Sequence, residues 1–112
     1  MIRITFYKDS QDEYIGFSFT GHAGYARAGR DIVCAAVSAL CLNTVNSIKT
    51  FTEDPIRVES DDEKGVLKLK FTGTVSAESR LLTDSLKLGL ERIRDDNYNR
   101  YVSVTIKRRC KS

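Results

Sequence analysis

Two segments near the start of the chain alternate between apolar and polar residues, and this period of two predicts β-strands. The apolar positions are Ile2, Ile4 and Phe6 in the first segment and Ile15, Phe17 and Phe19 in the second. A polar stretch, residues 8–12, separates the segments and has the composition of a turn. The first two strands are therefore predicted to form a hairpin.

After a glycine-rich stretch the apolar spacing changes to three and four residues, which predicts a helix that ends near Thr50. Asp31 is interpreted as the N-cap of this helix, because its carboxylate can accept an N–H group of the first turn. The side chains predicted to face the core are Val33, Val37, Leu40, Thr44, Ile48 and Phe51.

The second half of the chain repeats a strand pair followed by a helix. Strands are predicted over residues 56–59 and 67–71, with a polar turn between them, and a last strand over residues 101–106. A helix from near Ser76 to near Asn97 carries an apolar stripe, and Gly89 within it is expected where packing is close. The stripe consists of Leu82, Leu86, Leu90 and Ile93.

The order of predicted elements, ββαββαβ, indicates an α+β fold with two layers, in which two helices cover one face of a five-stranded sheet. Of the 112 residues, 41% are hydrophobic, which is enough for one core. We therefore expect a single domain over residues 1–112. The longest apolar run, Ile32 to Leu42, is shorter than the roughly 18 residues of a membrane span, so no membrane association is expected.

Cysteine usage and the N-terminal sequence favour a reducing compartment. The chain has three cysteines, an odd number, and no basic-then-apolar leader, so we expect free thiols and a cytoplasmic location. The single histidine excludes metal motifs that need two histidines, and neither a metal nor another cofactor is expected.

The net charge of +3 is concentrated near the end of the sequence, in Lys107, Arg108, Arg109 and Lys111. Two interpretations are open. The segment is either a solvated, frayed terminus or a contact for nucleic-acid phosphates. The second interpretation supports an alternative function, a ribosome- or RNA-associated binding module without catalytic activity.

The residues that are candidates for catalysis lie between positions 20 and 41. His22 follows a predicted strand, and Cys34 is expected in the first turn of the helix, where the helix dipole favours a thiolate. The imidazole could take the thiol proton, and the Cys34 N–H is the leading candidate to stabilise an oxyanion. This pattern indicates a Cys–His acyl-transfer site. The alternative is that Cys34 and Cys41 only pack in the core as small apolar side chains.

Two nearby residues have open roles. Asp31 either caps the helix or orients His22, and Ser38 either contacts the site or donates back to the Cys34 carbonyl. Cys41 and Cys110 are interpreted as structural or incidental. A disulfide between Cys34 and Cys41 is not expected, because seven residues along a helix separate their Cα atoms by about 10 Å.

One segment carries a resemblance to a known family. The sequence Gly21-His22-Ala23-Gly24-Tyr25-Ala26, then Gly29, then Asp31-Ile32-Val33-Cys34-Ala35-Ala36-Val37-Ser38, resembles the signature of the ribosomal-processing cysteine protease (Prp) family of bacteria. The element order and the length fit the same family, so the resemblance covers essentially the whole chain.

The resemblance implies an activity. Family members remove an N-terminal extension, rich in aromatic residues before the cut, from a large-subunit ribosomal protein precursor. By similarity His22 is the general base and Cys34 the nucleophile. The residues expected to bind substrate or support the site are Gly21, Ala23, Gly24, Tyr25, Gly29, Asp31 and Ser38. The family also implies a homodimer and a mobile substrate loop, Ala23 to Arg30.

Overall fold

A computed structural model of the chain describes residues 1–21, 28–98 and 101–110. Five strands and two helices follow one another in the predicted order, ββαββαβ, which confirms the α+β fold. The elements are β1 (Ile2–Lys8), β2 (Tyr14–Thr20), α1 (Ala28–Phe51), β3 (Ile56–Asp61), β4 (Val66–Phe71), α2 (Ala77–Ile93) and β5 (Val102–Arg108). A single π-helical turn, Arg94–Tyr98, follows α2 directly.

The strands form one sheet with the order β3-β4-β2-β1-β5. Both predicted hairpins, β1–β2 and β3–β4, are confirmed as antiparallel pairs. β2 also pairs with β4, and β5 pairs in parallel with β1. The two hairpins therefore lie side by side, and β5 completes the sheet at the free edge of β1.

Alternate strand residues point toward the helices and form the core. The residues buried on this side of the sheet are Ile2, Ile4, Phe6, Phe17, Phe19, Leu67, Leu69, Phe71 and Val102. α1 packs Val33, Val37, Cys41, Val45 and Ile48 against them, and α2 adds Leu86 and Leu90. Gly89 lies where the two helices meet. A Cβ added there would stand 3.3 Å from Leu40 Cδ1, which confirms the expected close packing.

The start of α2 agrees with the prediction. Ser76 is the N-cap and its hydroxyl accepts the Ser79 N–H at 3.2 Å. Asp54, just before β3, accepts hydrogen bonds from both the N–H and the hydroxyl of Ser76. The cap therefore ties α2 to the chain that enters the second hairpin.

Three expectations are wrong: the start of α1, the burial of Phe51 and the end of β5. α1 begins at Ala28, so Asp31 is its fourth residue and not its N-cap. Gly29 costs a helix only about 1 kcal/mol relative to Ala, and Ala28 and Arg30 beside it are good helix formers. Phe51 is 73% exposed at the last position of α1. β5 extends to Arg108, and the Arg109 N–H donates to the Lys8 carbonyl at 2.8 Å, so these residues are not a frayed terminus.

α1 also contains a 20-residue stretch, Ile32–Phe51, whose length and mean hydropathy of 1.5 would suffice for a membrane span. The expectation that no segment is long enough is corrected on this point. The core explains this hydropathy, because one face of the stretch supplies Val33, Val37 and Ile48 to the interior.

The β3–β4 turn depends on a glycine. Gly65 has φ 64°, a left-handed conformation that costs other L-residues about 1–2 kcal/mol. We expect Gly65→Ala to lower the free energy of unfolding by about 1 kcal/mol, measured by urea denaturation. Gly65→Asn is the control and should lose less, because asparagine tolerates this conformation. Equal stability of the wild type and Gly65→Ala would contradict this account of the turn.

Candidate active site

Cys34 lies on the side of α1 that faces the sheet. It is half-buried and packs against the core cluster. It is the seventh residue of α1, so its predicted place in the first turn is wrong. Only the first four N–H groups of a helix lack an intrahelical partner. These four are counted from the N-cap, so the free donors within α1 are those of residues 28–30, and the Cys34 N–H is a poor candidate for stabilising an oxyanion.

The end of β2 comes close to the sulfur. A Cβ placed on Gly21, the residue after β2, would stand 3.6 Å from Cys34 Sγ and 3.1 Å from Phe19 Cζ. The Gly21 N–H donates to the Gly65 carbonyl at 2.8 Å, which fixes this point of the chain to the β3–β4 turn. The predicted proximity of the strand end to the cysteine is thus present in the fold.

The histidine partner cannot be placed in the same way. His22 lies outside the described residues, and so do Ala23, Gly24 and Tyr25. The Cys–His pair and the substrate loop stay predictions. Of the expected loop, residues 28–30 belong to α1 instead, including Gly29.

Cys34 opens into a groove of about 370 Å³ between α1 and the β3–β4 hairpin. Its apolar surface comes from both layers of the fold: Phe19, Leu42, Val45, Val58 and Leu67. Charged side chains, Lys49, Asp61 and Asp62, also line it. The groove therefore offers an apolar surface beside a thiol, with charged residues at its border.

Ser38 lies one turn after Cys34 and lines the same groove, as its spacing predicts. Its hydroxyl has no hydrogen bond to any other residue that the structure describes. The Thr44 hydroxyl, by contrast, donates to the Leu40 carbonyl at 2.9 Å. Donation from Ser38 to the Cys34 carbonyl is therefore not observed, and the hydroxyl lines the groove without a partner among the described residues.

The other two cysteines lie away from this groove. Cys41 is fully buried, and burial raises the pKa of its thiol to about 12. Cys110 is exposed beyond β5. All three thiols are free. Cys34 is partly exposed and lines this groove, whereas Cys110 is exposed and lines a separate groove on the other face of the sheet. The burial of Cys41 agrees with its interpretation as structural.

A small α+β domain with a free cysteine in a groove between helix and sheet has the arrangement of a thiol-dependent peptidase. The family model described as "Cysteine protease Prp" matches residues 1–103. The chain belongs to this family and is a cysteine protease. The resemblance inferred from residues 21–38 is confirmed, and the alternative of a non-catalytic binding module does not agree with this enzyme class.

Individual relatives agree with the family assignment. The ribosomal processing cysteine protease Prp of Staphylococcus aureus (strain Mu50) is 30% identical over 87 residues, which cover 78% of this chain and 81% of that protein. The Prp of Bacillus subtilis (strain 168) is 28% identical over 100 residues, 86% of this chain and 89% of the relative.

Two solved structures of the S. aureus protease are similar in fold. The complex with a substrate peptide has a TM-score of 0.88 and 25% identity, and the complex with a covalently linked product peptide has 0.84 and 26%. Each match covers 96% of this chain and 100% of the other.

The absence of a side chain at Gly21 leaves room around the sulfur. We expect Gly21→Ala to press a methyl group against Phe19 and Cys34, lowering the free energy of unfolding by about 1–3 kcal/mol and slowing alkylation of Cys34. The measurement is the rate of iodoacetamide labelling at Cys34, followed by mass spectrometry. The double variant Gly21→Ala/Phe19→Leu is the control and should recover part of the rate. An unchanged rate in Gly21→Ala would contradict the close approach.

Proposed function

We propose that this protease is an endopeptidase that removes the N-terminal extension of a large-subunit ribosomal protein precursor, with Cys34 as nucleophile and His22 as general base. The observation that carries the proposal is the 3.6 Å separation between Cys34 Sγ and the Cβ position of Gly21. His22 is the next residue in the sequence, so the only imidazole of the chain is covalently tied to this point.

The reaction follows the chemistry of an activated thiol. His22 removes the Cys34 proton, and the thiolate attacks the scissile carbonyl to form a tetrahedral intermediate. His22 then protonates the leaving amine as the thioester forms. His22 next activates water, which hydrolyses the thioester and restores the thiol. The covalently linked product peptide in the S. aureus relative supports nucleophilic catalysis in this family.

The oxyanion is assigned to the free N–H groups in the first turn of α1. Side chains on a helix lean toward its N-terminus, so the Cys34 side chain leans toward the turn that precedes it. Residue 30, the last of these free donors, lies four positions before Cys34 and shares its side of the helix. Donors there replace the Cys34 N–H in the mechanism. Because Asp31 is not the N-cap of α1, its proposed role is to orient His22.

The groove supports the proposed substrate. Its apolar residues from α1 and the sheet suit the aromatic residues that the family's substrates carry before the cut. The Ser38 hydroxyl is positioned to hydrogen-bond the backbone of an extended peptide that enters the groove. A relative in complex with a substrate peptide supports peptide binding by this fold.

Three further properties are proposed from the family and from cysteine usage. We infer a cytoplasmic location, a homodimer, and one catalytic domain over residues 1–112. Three free thiols fit a reducing compartment.

The assignment of the nucleophile is tested with a precursor peptide that contains the extension and with an irreversible thiol-directed mimic of it. Cys34→Ala should lower the cleavage rate at least about a thousandfold and abolish the adduct. His22→Ala should slow both reactions while leaving the circular dichroism spectrum unchanged.

Cys110→Ser is the matched control, because it removes a thiol outside the groove, and it should cleave at the wild-type rate. Cleavage by Cys34→Ala at the normal rate, or an adduct on Cys110, would refute the nucleophile. Normal cleavage by His22→Ala would refute the general base.

A further inference from the structure

The face of the sheet that points away from the helices is strongly cationic. Residues that alternate with the core positions of all five strands point to this face. Its exposed cations are Arg3, Arg57, Lys68, Lys70, Lys107 and Arg109. The acids at outward strand positions are Glu59 and Asp61, of which Asp61 ends β3 and lines the Cys34 groove. With both counted, the face carries a net +4, more than the +3 of the whole chain.

These cations are only partly neutralised within the described part of the chain, where Lys68 has Glu59 as its direct cross-strand partner. None of the six belongs to any of its ion pairs, whereas Lys8 and Arg108 are both paired with Asp12. Arg57 and Lys70 are direct cross-strand partners, an arrangement of like charges that destabilises a sheet. A locally unfavourable arrangement of this kind is expected where a ligand supplies the missing counter-charge.

Four of these cations, Arg57, Lys68, Lys70 and Arg109, line a groove of about 610 Å³ that follows β2. Its floor is low because β2 presents small residues there, Gly16 and Ser18. Position 16 has no room for a side chain, because a Cβ added to Gly16 would stand 2.2 Å from the carbonyl oxygen of Leu69. The flanking strands β4 and β1 are two strand spacings apart, about 10 Å. The groove is therefore narrow, about the width of one extended polymer strand.

The two walls of the groove differ in composition. One wall consists of Arg57, Glu59, Lys68 and Lys70 from the β3–β4 hairpin and carries a net charge of +2. The other consists of Tyr7 and Arg109, with the guanidinium 4.5 Å from the centroid of the tyrosine ring. The hydroxyls of Tyr7 and Ser18 lie 3.4 Å apart and face the groove together.

We propose that this groove binds single-stranded RNA. The cationic walls contact the phosphates of one strand, as in other positively charged grooves that follow a nucleic-acid backbone. The hydroxyls of Tyr7 and Ser18 both donate and accept hydrogen bonds, and they pair with ribose 2′-hydroxyls, which DNA lacks. A regular row of phosphates matches cations on both walls better than the irregular charges of an acidic protein segment.

The RNA groove and the Cys34 groove lie on opposite faces of the sheet. Phe19, Val58 and Leu67 line the Cys34 groove, Arg57, Lys68 and Lys70 line the RNA groove, and no described residue lines both. The proposal therefore does not depend on the proposed function, and each can fail alone. A ribonucleoprotein could present RNA to one face while its protein component enters the other.

The test measures fluorescence anisotropy of a short labelled single-stranded RNA with the full chain at several salt concentrations. Lys68→Gln/Lys70→Gln should weaken binding about tenfold and reduce the slope of log K against log salt by about 1.4, since each phosphate contact contributes about 0.7. Lys87→Gln/Arg92→Gln, the same charge change on α2, is the matched control and should bind as the wild type does. Both variants should cleave the precursor peptide at the wild-type rate.

Several outcomes would overturn the proposal. These are equal weakening in the two double variants, no salt-dependent RNA binding by the wild type, and equal affinity for DNA of the same sequence or for polyglutamate. A change of oligomeric state in Lys68→Gln/Lys70→Gln, with RNA binding unchanged, would instead make this face a contact between copies of the chain.

Discussion

One hydrogen bond, from the Gly21 N–H to the Gly65 carbonyl, holds the end of β2 beside Cys34. It joins the first hairpin to the turn of the second, and α1 packs across both. Gly65 can offer its carbonyl because it adopts a backbone conformation that other residues avoid. Gly21 fits beside the Phe19 ring because it has no side chain, and an added Cβ would stand only 3.1 Å from Phe19 Cζ. Two glycines, 44 positions apart in the sequence, therefore determine how close the residue after β2 comes to the sulfur.

The architecture was largely predictable, because each strand and helix buries one face and its apolar residues therefore recur with a regular spacing. Alternation identified all five strands, and the three-four spacing identified both helices. The start of α1 was not predictable from its glycines, because the modest cost of Gly29 is easily offset in a helix of 24 residues. Phe51 failed as a core position for a different reason: the spacing continued to the last residue of α1, where the chain turns away toward β3.

The candidate site was only partly predictable. Cys34 was identified by its distance from the single histidine and by the family signature, both of which are local in sequence. Its groove and the charged residues on the border, such as Asp61, come from a hairpin more than 20 residues further along the chain. The cationic face was also not predictable from the sequence, because Lys68 and Lys70 have the pattern of ordinary solvent-exposed positions in a strand. Only the strand order brings them opposite Arg109 across β2.

The parallel pairing of β5 with β1 has a consequence for biosynthesis. Ile2 pairs with Val102, so β1 lacks one neighbour until about 100 further residues have been made. At ribosomal speeds this delay is roughly 5–20 s. During that time β1, which carries Ile2, Ile4 and Phe6, presents an unpaired backbone edge, a known starting point for aggregation. A chain shortened before β5 would leave this edge of β1 permanently unpaired.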